Sequence, residues 1–322
     1  MKYQICGFAL QGSGHIKNGT PCQDKVAYLN KENLSIAALS DGAGSAKLSH
    51  FGAENSVNFI CNEFAQNFDF YFEQTDGVIV KSKIINKINN NMIELSRNLN
   101  CEISDLEHTL LFIAVKDGNF ILFHLGDGVI GCLKNGKIEV ASKPTNGEFA
   151  NVTIFTTSPN ALQNIKIAKG EMLNIDGFVL MSDGSEQSFY DKRSNSLAKV
   201  LERLFILNSI LPNTALNEKL ISLFKNSVLN KTSDECSFLM ISKKIRFSDI
   251  TDEQKLSIFN FNNNKKLQKI TGILKHLQTP KNISQIEKIM HIKKKFIKKY
   301  LNFLIDFRFV QKRDNLYYIM VE

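Results

Sequence analysis

The sequence has no CxxC pair and no histidine–cysteine cluster, although it contains six cysteines among 322 residues. A cysteine-based metal site is therefore excluded. The cysteines are scattered and several lie within apolar runs, which predicts buried free thiols and a reducing, cytoplasmic setting. They are Cys6, Cys22, Cys61, Cys101, Cys132 and Cys236.

The sequence also lacks an apolar run of the roughly 18 residues that a membrane span needs. Residues 2–10 alternate between apolar and polar, which predicts a strand rather than a signal peptide. With 43% hydrophobic and 22% charged residues, the composition is that of a soluble globular protein. The length allows one large domain or two ordinary ones.

The sequence also lacks an even distribution of charged residues along its length. Residues 251–322 contain 15 of the 40 basic residues and only 6 of the 32 acidic ones, whereas the whole chain has a net charge of +8. The basic excess thus belongs entirely to the last segment, which predicts a separate module there.

Short apolar runs and stretches of helical spacing predict an α+β chain with helices packed outside sheets. Strands are predicted at 2–10, 26–29, 34–39, 109–115, 120–125, 129–133, 137–140, 178–181 and 236–242, and helices at 49–68, 79–99, 197–208 and 216–228. Residues 11–24 are predicted to form a polar loop, and residues 144–170 strands and loops.

The end of the chain has the pattern of a small second domain. Residues 246–264 are polar and rich in asparagine, which predicts a linker between domains at 1–245 and 265–322. Helices are predicted at 267–277, 285–290 and 294–307, and a hairpin follows them. Three short helices and a β-hairpin form the winged helix-turn-helix arrangement.

Three aspartates recur in one context: each follows an apolar strand and precedes a glycine. They are Asp41, Asp127 and Asp183. One such dipeptide usually marks only a turn. Three of them, without histidine or cysteine clusters, predict carboxylates gathered at strand ends, and carboxylates favour Mg²⁺ or Mn²⁺.

The order of the motifs resembles the metal-dependent serine/threonine phosphatases of the PP2C (PPM) family, in particular its compact bacterial branch. The resemblance covers roughly residues 1–242 and is carried by Gln23-Asp24, Ser40-Asp41-Gly42, Thr109, Gly126-Asp127-Gly128, Ser182-Asp183-Gly184 and Asp234-Glu235. It implies a four-layer α-β-β-α sandwich, two Mn²⁺ or Mg²⁺ ions in a cleft at one edge, and a phosphoprotein substrate of a serine/threonine kinase.

The resemblance also implies a role for particular residues. Asp41 would bridge both metal ions, and the carbonyl of Gly42 would bind one of them. Asp183 and Asp234 would complete the coordination of the other ion. Because all three aspartates are present in the sequence, an active enzyme is favoured over a pseudophosphatase.

Four further residues would support the centre. Asp24 would support metal-bound waters, and Asp127 would join the aspartate at 183 in holding a weaker third ion. The family's phosphate-gripping arginine is not in its usual place, and His15 or Lys17 could substitute for it. For each of them, an ordinary solvated loop residue is the favoured alternative.

Three departures from the family pattern stand out. Gln23 replaces a glutamate and could still hydrogen-bond a water. Ala43 stands where eukaryotic members carry a histidine proposed as general acid, and Glu235 replaces a common asparagine. His50, His108 and His124 lie beside apolar residues and are expected to be ordinary packed or surface residues.

The lysines at 293–295 and 298–299 flank the start of the last predicted helix. In a winged helix this is the recognition element, and its charge would suit contacts with nucleic-acid phosphates. A solvated helix face and a protein-binding surface are the alternatives. A second hypothesis follows: a regulator of pseudophosphatase type, whose basic C-terminal domain binds DNA or a protein partner.

Overall fold

The computed structural model describes residues 2–145 and 153–321. Its two large sheets have five antiparallel strands each. The first sheet has the order β1 (Tyr3–Leu10), β12 (Cys236–Lys243), β9 (Ile175–Met181), β6 (Val129–Lys134) and β7 (Lys137–Ser142). The second has the order β2 (Lys25–Asn30), β3 (Leu34–Ser40), β4 (Leu110–Lys116), β5 (Asn119–Leu125) and β8 (Lys166–Glu171).

Strand β3 is apolar on both faces because it lies between two cores. Ile36 and Ala38 pack in the core beneath the helices, whereas Ala37 and Leu39 pack in the core between the two sheets. All four side chains are fully buried. Because successive side chains of a strand point to opposite faces, β3 contributes to both cores, and its inner face packs the two sheets face to face.

Helices cover the outer face of each sheet. Helices α2 (Ser49–Glu73) and α3 (Gly77–Leu99) lie on the second sheet, and α6 (Val200–Ile210) and α7 (Asn213–Leu223) lie on the first. The predicted four-layer α-β-β-α sandwich is confirmed. Among the described residues, none of the helices combines the length and apolarity that a membrane span requires.

The structure corrects the prediction for residues 11–24 and adds elements that the sequence pattern did not indicate. The expected polar loop contains the short helix α1 (Ser13–Asn18), which a hydrogen bond from Gly14 N–H to the Ser233 carbonyl, 2.9 Å long, ties to a distant loop. The added elements are α4 (Ala161–Asn164), α5 (Asp183–Phe189), β10 (Tyr190–Asp191) and β11 (Ser196–Leu197). Part of the weakly patterned segment 144–170 lies outside the described residues.

The segment 246–264 also differs from the expected linker. It contains a 3₁₀ turn (Phe247–Asp249) and helix α8 (Asp252–Phe259), which begins at a capping box formed by Thr251 and Gln254. Ile258 and Phe259 are buried at the end of this helix. The capping pair and these two apolar residues give the segment structure despite its asparagines.

The C-terminal helices and hairpin lie where the sequence predicts them. They are α9 (Asn264–His276), α10 (Ile283–Met290), α11 (Lys294–Asp306), β13 (Val310–Arg313) and β14 (Leu316–Ile319). This part packs against the outer helices of the first sheet. The Arg203 guanidinium donates to the Ile258 carbonyl at 2.7 Å, and the Lys219 ammonium donates to the Asp306 carbonyl at 3.1 Å.

Candidate active site

The five predicted aspartates lie at strand ends that meet at one edge of the sandwich. Three of them, Asp41, Asp127 and Asp183, come after the strands β3, β5 and β9. The other two, Asp24 and Asp234, come before the strands β2 and β12. Because antiparallel neighbours run in opposite directions, the start of one strand lies beside the end of the next. Residues that follow one strand and residues that precede its neighbour therefore lie at the same edge.

Thr109, at the start of the strand beside β3, fixes the position of Asp41. The Asp41 N–H donates to the Thr109 hydroxyl at 2.9 Å, and the Thr109 N–H donates to the Asp41 carbonyl at 2.8 Å. Gly126 has a φ of +125°, and a Cβ there would lie 2.5 Å from the Cβ of Thr109. A glycine is therefore required where the segment of Asp127 passes the threonine.

A second pair of hydrogen bonds joins the segments of Asp183 and Asp234. The Ser237 N–H donates to the Ser182 hydroxyl at 3.0 Å, and the Ser182 N–H donates to the Ser237 carbonyl at 3.2 Å. These bonds hold the start of helix α5 beside the loop that precedes β12. The segments that carry Asp183 and Asp234, which are distant in sequence, thus lie side by side.

The carboxylates repel one another strongly. Burial raises the pKa of Asp41 well above its ordinary value, and the charges of Asp24, Asp183, Asp127 and Asp234 raise it further. Burial likewise raises the pKa values of Asp24 and Asp183, each to about 7, and neighbouring carboxylates add to both shifts. The centre therefore concentrates more negative charge than the protein itself balances.

The donor set fits divalent cations. Both carboxylate oxygens of Asp24 are buried without a geometrically satisfactory hydrogen-bond partner, although the hydroxyls of Ser182 and Ser237 lie near enough to lower its pKa. Buried oxygens of this kind normally have a donor or a cation. Hard oxygen ligands and surplus negative charge are what Mg²⁺ and Mn²⁺ require.

One group of possible ligands is drawn tightly together. In the part of the chain that the structure describes, only His15, Asp234 and Glu235 form a histidine–carboxylate triad with ligand atoms within 4.8 Å of one another. The predicted ligands Asp41 and Asp183 do not belong to this triad.

Gln23, of the motif Gln23-Asp24, takes part in a junction between distant segments of the chain. Nδ1 of His15 contacts Oε1 of the buried Glu235, and the Gln23 N–H donates to the same oxygen at 3.0 Å. The Gln23 amide donates to the Ser49 hydroxyl at 2.7 Å. Ser49, the first residue of α2, thus occupies the amide nitrogen. The side-chain oxygen Oε1 is buried without a hydrogen-bond partner, so the expectation that Gln23 binds a water stays a prediction. Lys17 is exposed on α1 and has no place in this junction.

Sequence reasoning missed two charged residues of the site. Glu186 lies one helical turn after the aspartate that begins α5, so its spacing from Asp183 was an available signal. Lys192 reaches Glu186 from the turn between β10 and β11, with Nζ 2.6 Å from Oε1. Nothing in the sequence pattern indicated this hairpin, so the lysine had no detectable signal.

Comparisons with known proteins agree with this architecture. The family model described as Protein phosphatase 2C matches residues 11–224, which is more than half of the chain. Serine/threonine-protein phosphatase 3 of Escherichia coli (strain K12) is 26% identical over 173 residues, which cover 52% of this chain and 67% of that protein.

Two solved structures share the fold at low sequence identity. A serine/threonine phosphatase of S. agalactiae has a TM-score of 0.53 at 15% identity, and the match covers 75% of this chain and all of that one. Serine/threonine phosphatase Stp1 from Staphylococcus aureus has a TM-score of 0.52 at 16% identity, covering 76% of this chain and 96% of the other. The family prediction is confirmed: the chain belongs to the protein phosphatase 2C family.

Proposed function

We propose that the protein hydrolyses phosphoserine and phosphothreonine residues of other proteins, with two Mn²⁺ or Mg²⁺ ions held by its aspartates. The observation that carries this proposal is the surplus of buried negative charge around Asp41. The E. coli relative is named a serine/threonine-protein phosphatase, which supports the same substrate class. The substrate would then be the product of a serine/threonine kinase.

The proposed ligands are Asp41, the Gly42 carbonyl, Asp183 and Asp234, and Asp127 would join Asp183 in holding a weaker third ion. Bound divalent ions would supply positive charge that attracts the phosphate and lowers the pKa of a water. Thr109 and the serine pair described above hold these ligands in position. The chain thus contributes carboxylates that are held in position before an ion binds.

Other residues of the site would bind a water molecule and the phosphate group. Asp24 offers two buried acceptor oxygens to a water molecule. His15 is fixed by its Nδ1 contact with Glu235, which leaves Nε2 for a phosphate oxygen, and the exposed Lys17 could approach the same group. Ala43 has no proton to give, so the leaving hydroxyl must take its proton from another group or from water.

Hydrolysis of p-nitrophenyl phosphate and of phosphoserine peptides with added Mn²⁺ tests this proposal. We expect Asp41→Asn and Asp183→Asn each to lower kcat/KM by at least about 100-fold, because each removes a charged ligand. Asp69→Asn is the matched control, since this exposed aspartate pairs with Lys116 far from the site. A purified protein that hydrolyses no phosphoester with Mn²⁺ or Mg²⁺ would refute the proposal.

We propose as a second function that the C-terminal part binds nucleic acid. Lys295, Lys298 and Lys299 are exposed on α11, outside the stripe of its buried residues. Lys312 and Arg313 are exposed on the adjoining hairpin. A cationic helix beside a cationic hairpin suits the phosphates of a duplex, whereas a protein partner would be the alternative.

Fluorescence anisotropy of a labelled duplex at several salt concentrations tests the second proposal. Replacing Lys295, Lys298 and Lys299 together by glutamine should weaken binding at least about tenfold and flatten its dependence on salt. The control replaces the exposed Lys265, Lys266 and Lys269 of α9, with the same loss of charge. Equal losses in both triple variants would indicate only non-specific attraction and contradict the proposal.

A further inference from the structure

The ion pair between Lys192 and Glu186 connects an exposed side chain with the buried acidic centre. The Glu186 side chain is 1% exposed, whereas that of Lys192 is 67% exposed. The lysine therefore extends from the hairpin turn to place its ammonium, 2.6 Å from Oε1, against a carboxylate that water hardly reaches. A buried carboxylate needs such a partner because desolvation disfavours its charge.

The same ammonium lies in the field of two further carboxylates. The hydrogen bond to Glu186 raises the pKa of Lys192, and the charges of Asp183 and Asp127 raise it further. Burial raises the pKa of Glu186, the lysine lowers it, and Asp127 raises it. One ammonium therefore contacts Glu186 and is influenced by the charges of two further carboxylates.

This edge retains unused coordinating capacity. Oε2 of Glu186 is buried and has no hydrogen-bond partner. The Thr153 hydroxyl donates to one oxygen of Asp127, which fixes that carboxylate without neutralising it. A single ammonium balances only part of the charge of three carboxylates, so a free acceptor and surplus charge remain beside it.

We propose that Lys192 is an internal cation of the Asp127–Asp183–Glu186 edge and that it competes with a third divalent ion for these carboxylates. This inference rests on the proposed function, in which two ions occupy the centre. The ammonium is tethered by a short hairpin, so it is always present at high local concentration. The wild-type protein would then fill two sites at a metal concentration that leaves the third site to the lysine.

The first test needs no metal. In EDTA at neutral pH, Lys192→Gln should lower the melting temperature by about 2 °C or more, because it leaves Glu186 buried without its cation. The double variant Lys192→Gln/Glu186→Gln should recover most of this loss. Lys199→Gln, which removes an exposed lysine from the end of the same segment, is the control. A Lys192→Gln protein that melts like this control overturns the proposal.

The second test counts bound ions by calorimetry and by the electron paramagnetic resonance signal of free Mn²⁺. Lys192→Gln should bind a third Mn²⁺ at least about five-fold more tightly than the wild type or Lys199→Gln, since the competing charge is gone. Unchanged binding of the third ion overturns the proposal. If no variant binds Mn²⁺ at all, the proposed function fails, and the melting comparison alone decides the role of Lys192.

Discussion

Asp41 would be easier to bury as a neutral acid than as a carboxylate. Its pKa is raised by burial and by four neighbouring aspartates, so its charge opposes folding as long as no cation is present. A residue of this kind is retained for function at a cost in stability. The effect of Asp41 on stability can be separated from its effect on activity by measuring stability without metal.

We therefore expect Asp41→Asn to raise the melting temperature by about 2–4 °C in EDTA, while it abolishes phosphatase activity with Mn²⁺. The amide keeps the shape of the side chain and removes one buried charge. Differential scanning fluorimetry measures this shift, with the exposed Asp176→Asn as control. A lower melting temperature for Asp41→Asn in EDTA would show that the repulsion is compensated within the chain.

His108 is fully buried, and its hydrogen bonds specify the neutral form. Nδ1 lies 2.7 Å from the Leu106 carbonyl, which can only accept, so this nitrogen carries the proton. Nε2 then accepts from the hydroxyls of Ser56 and Thr156, at 2.6 and 3.0 Å. Burial lowers the pKa of His108 to about 4. The expectation of an ordinary packed histidine agrees with this environment.

The unfolded chain binds the His108 proton near pH 6.5, but the folded chain binds it only near pH 4. Stability should therefore fall as the pH drops through this window, by about 2 kcal/mol from this residue between pH 7 and pH 5. Urea unfolding at both pH values measures the loss.

The acidic centre opposes this trend, because its raised pKa values favour folding in acid, so the comparison must be made between variants. His108→Gln should lose less stability between the two pH values than the wild type. The exposed His291→Asn should behave like the wild type. Identical pH dependence in His108→Gln and the wild type would contradict the assignment.

At the scale of elements, the contact between helix α5 and the loop before β12 positions two proposed ligands. Gly184 follows Asp183 at the start of this helix, and a Cβ there would lie 2.1 Å from the Glu235 carbonyl. A backbone atom cannot move aside as a flexible side chain can. The glycine therefore permits the close approach of the segments that carry Asp183 and Asp234.

Gly184→Ala should lower kcat/KM by at least about tenfold and weaken Mn²⁺ binding, since the added methyl group separates these segments. Gly44→Ala is a close control, because a Cβ at Gly44 would meet nothing within 4 Å. Steady-state kinetics and Mn²⁺ titration of both variants give the comparison. Full activity in Gly184→Ala would mean that the two ligand segments need not touch.

At the scale of the whole molecule, the C-terminal part shares a core with the phosphatase domain. One continuous apolar cluster includes Leu204 and Phe205 of α6, Phe259 of α8, and Leu301 of α11. The Arg308 guanidinium also pairs with Glu218 of α7 at 3.0 Å. Both parts therefore gain apolar burial from their contact, which favours unfolding as one unit.

We expect a chain ending at residue 245 to melt about 5 °C or more below the full-length protein and to be less soluble, because it exposes the outer side of α6 and α7. The full-length protein should show one cooperative transition. Calorimetry of both proteins checks this. An unchanged melting temperature in the shortened chain would show that residues 246–322 form an independent domain, as the linker prediction implied.

The sequence alone determined most strands of the two large sheets, the long helices and the order of the acidic motifs. These features depend on local periodicity and on short contiguous patterns such as the residues around Asp41, which a linear chain displays directly. The sequence also located the C-terminal helices and hairpin and the basic excess of the last segment.

Only the tertiary structure decided which groups meet. Glu235 looked like a departure from a motif and proves to anchor His15, a partner 220 residues away in sequence. Lys192 entered the site because a two-residue strand pair turns it back over α5. Helix α8 forms in an asparagine-rich segment because Phe259 is buried against other elements. Charge pairing and burial act through space, so neither can be determined from the order of residues alone.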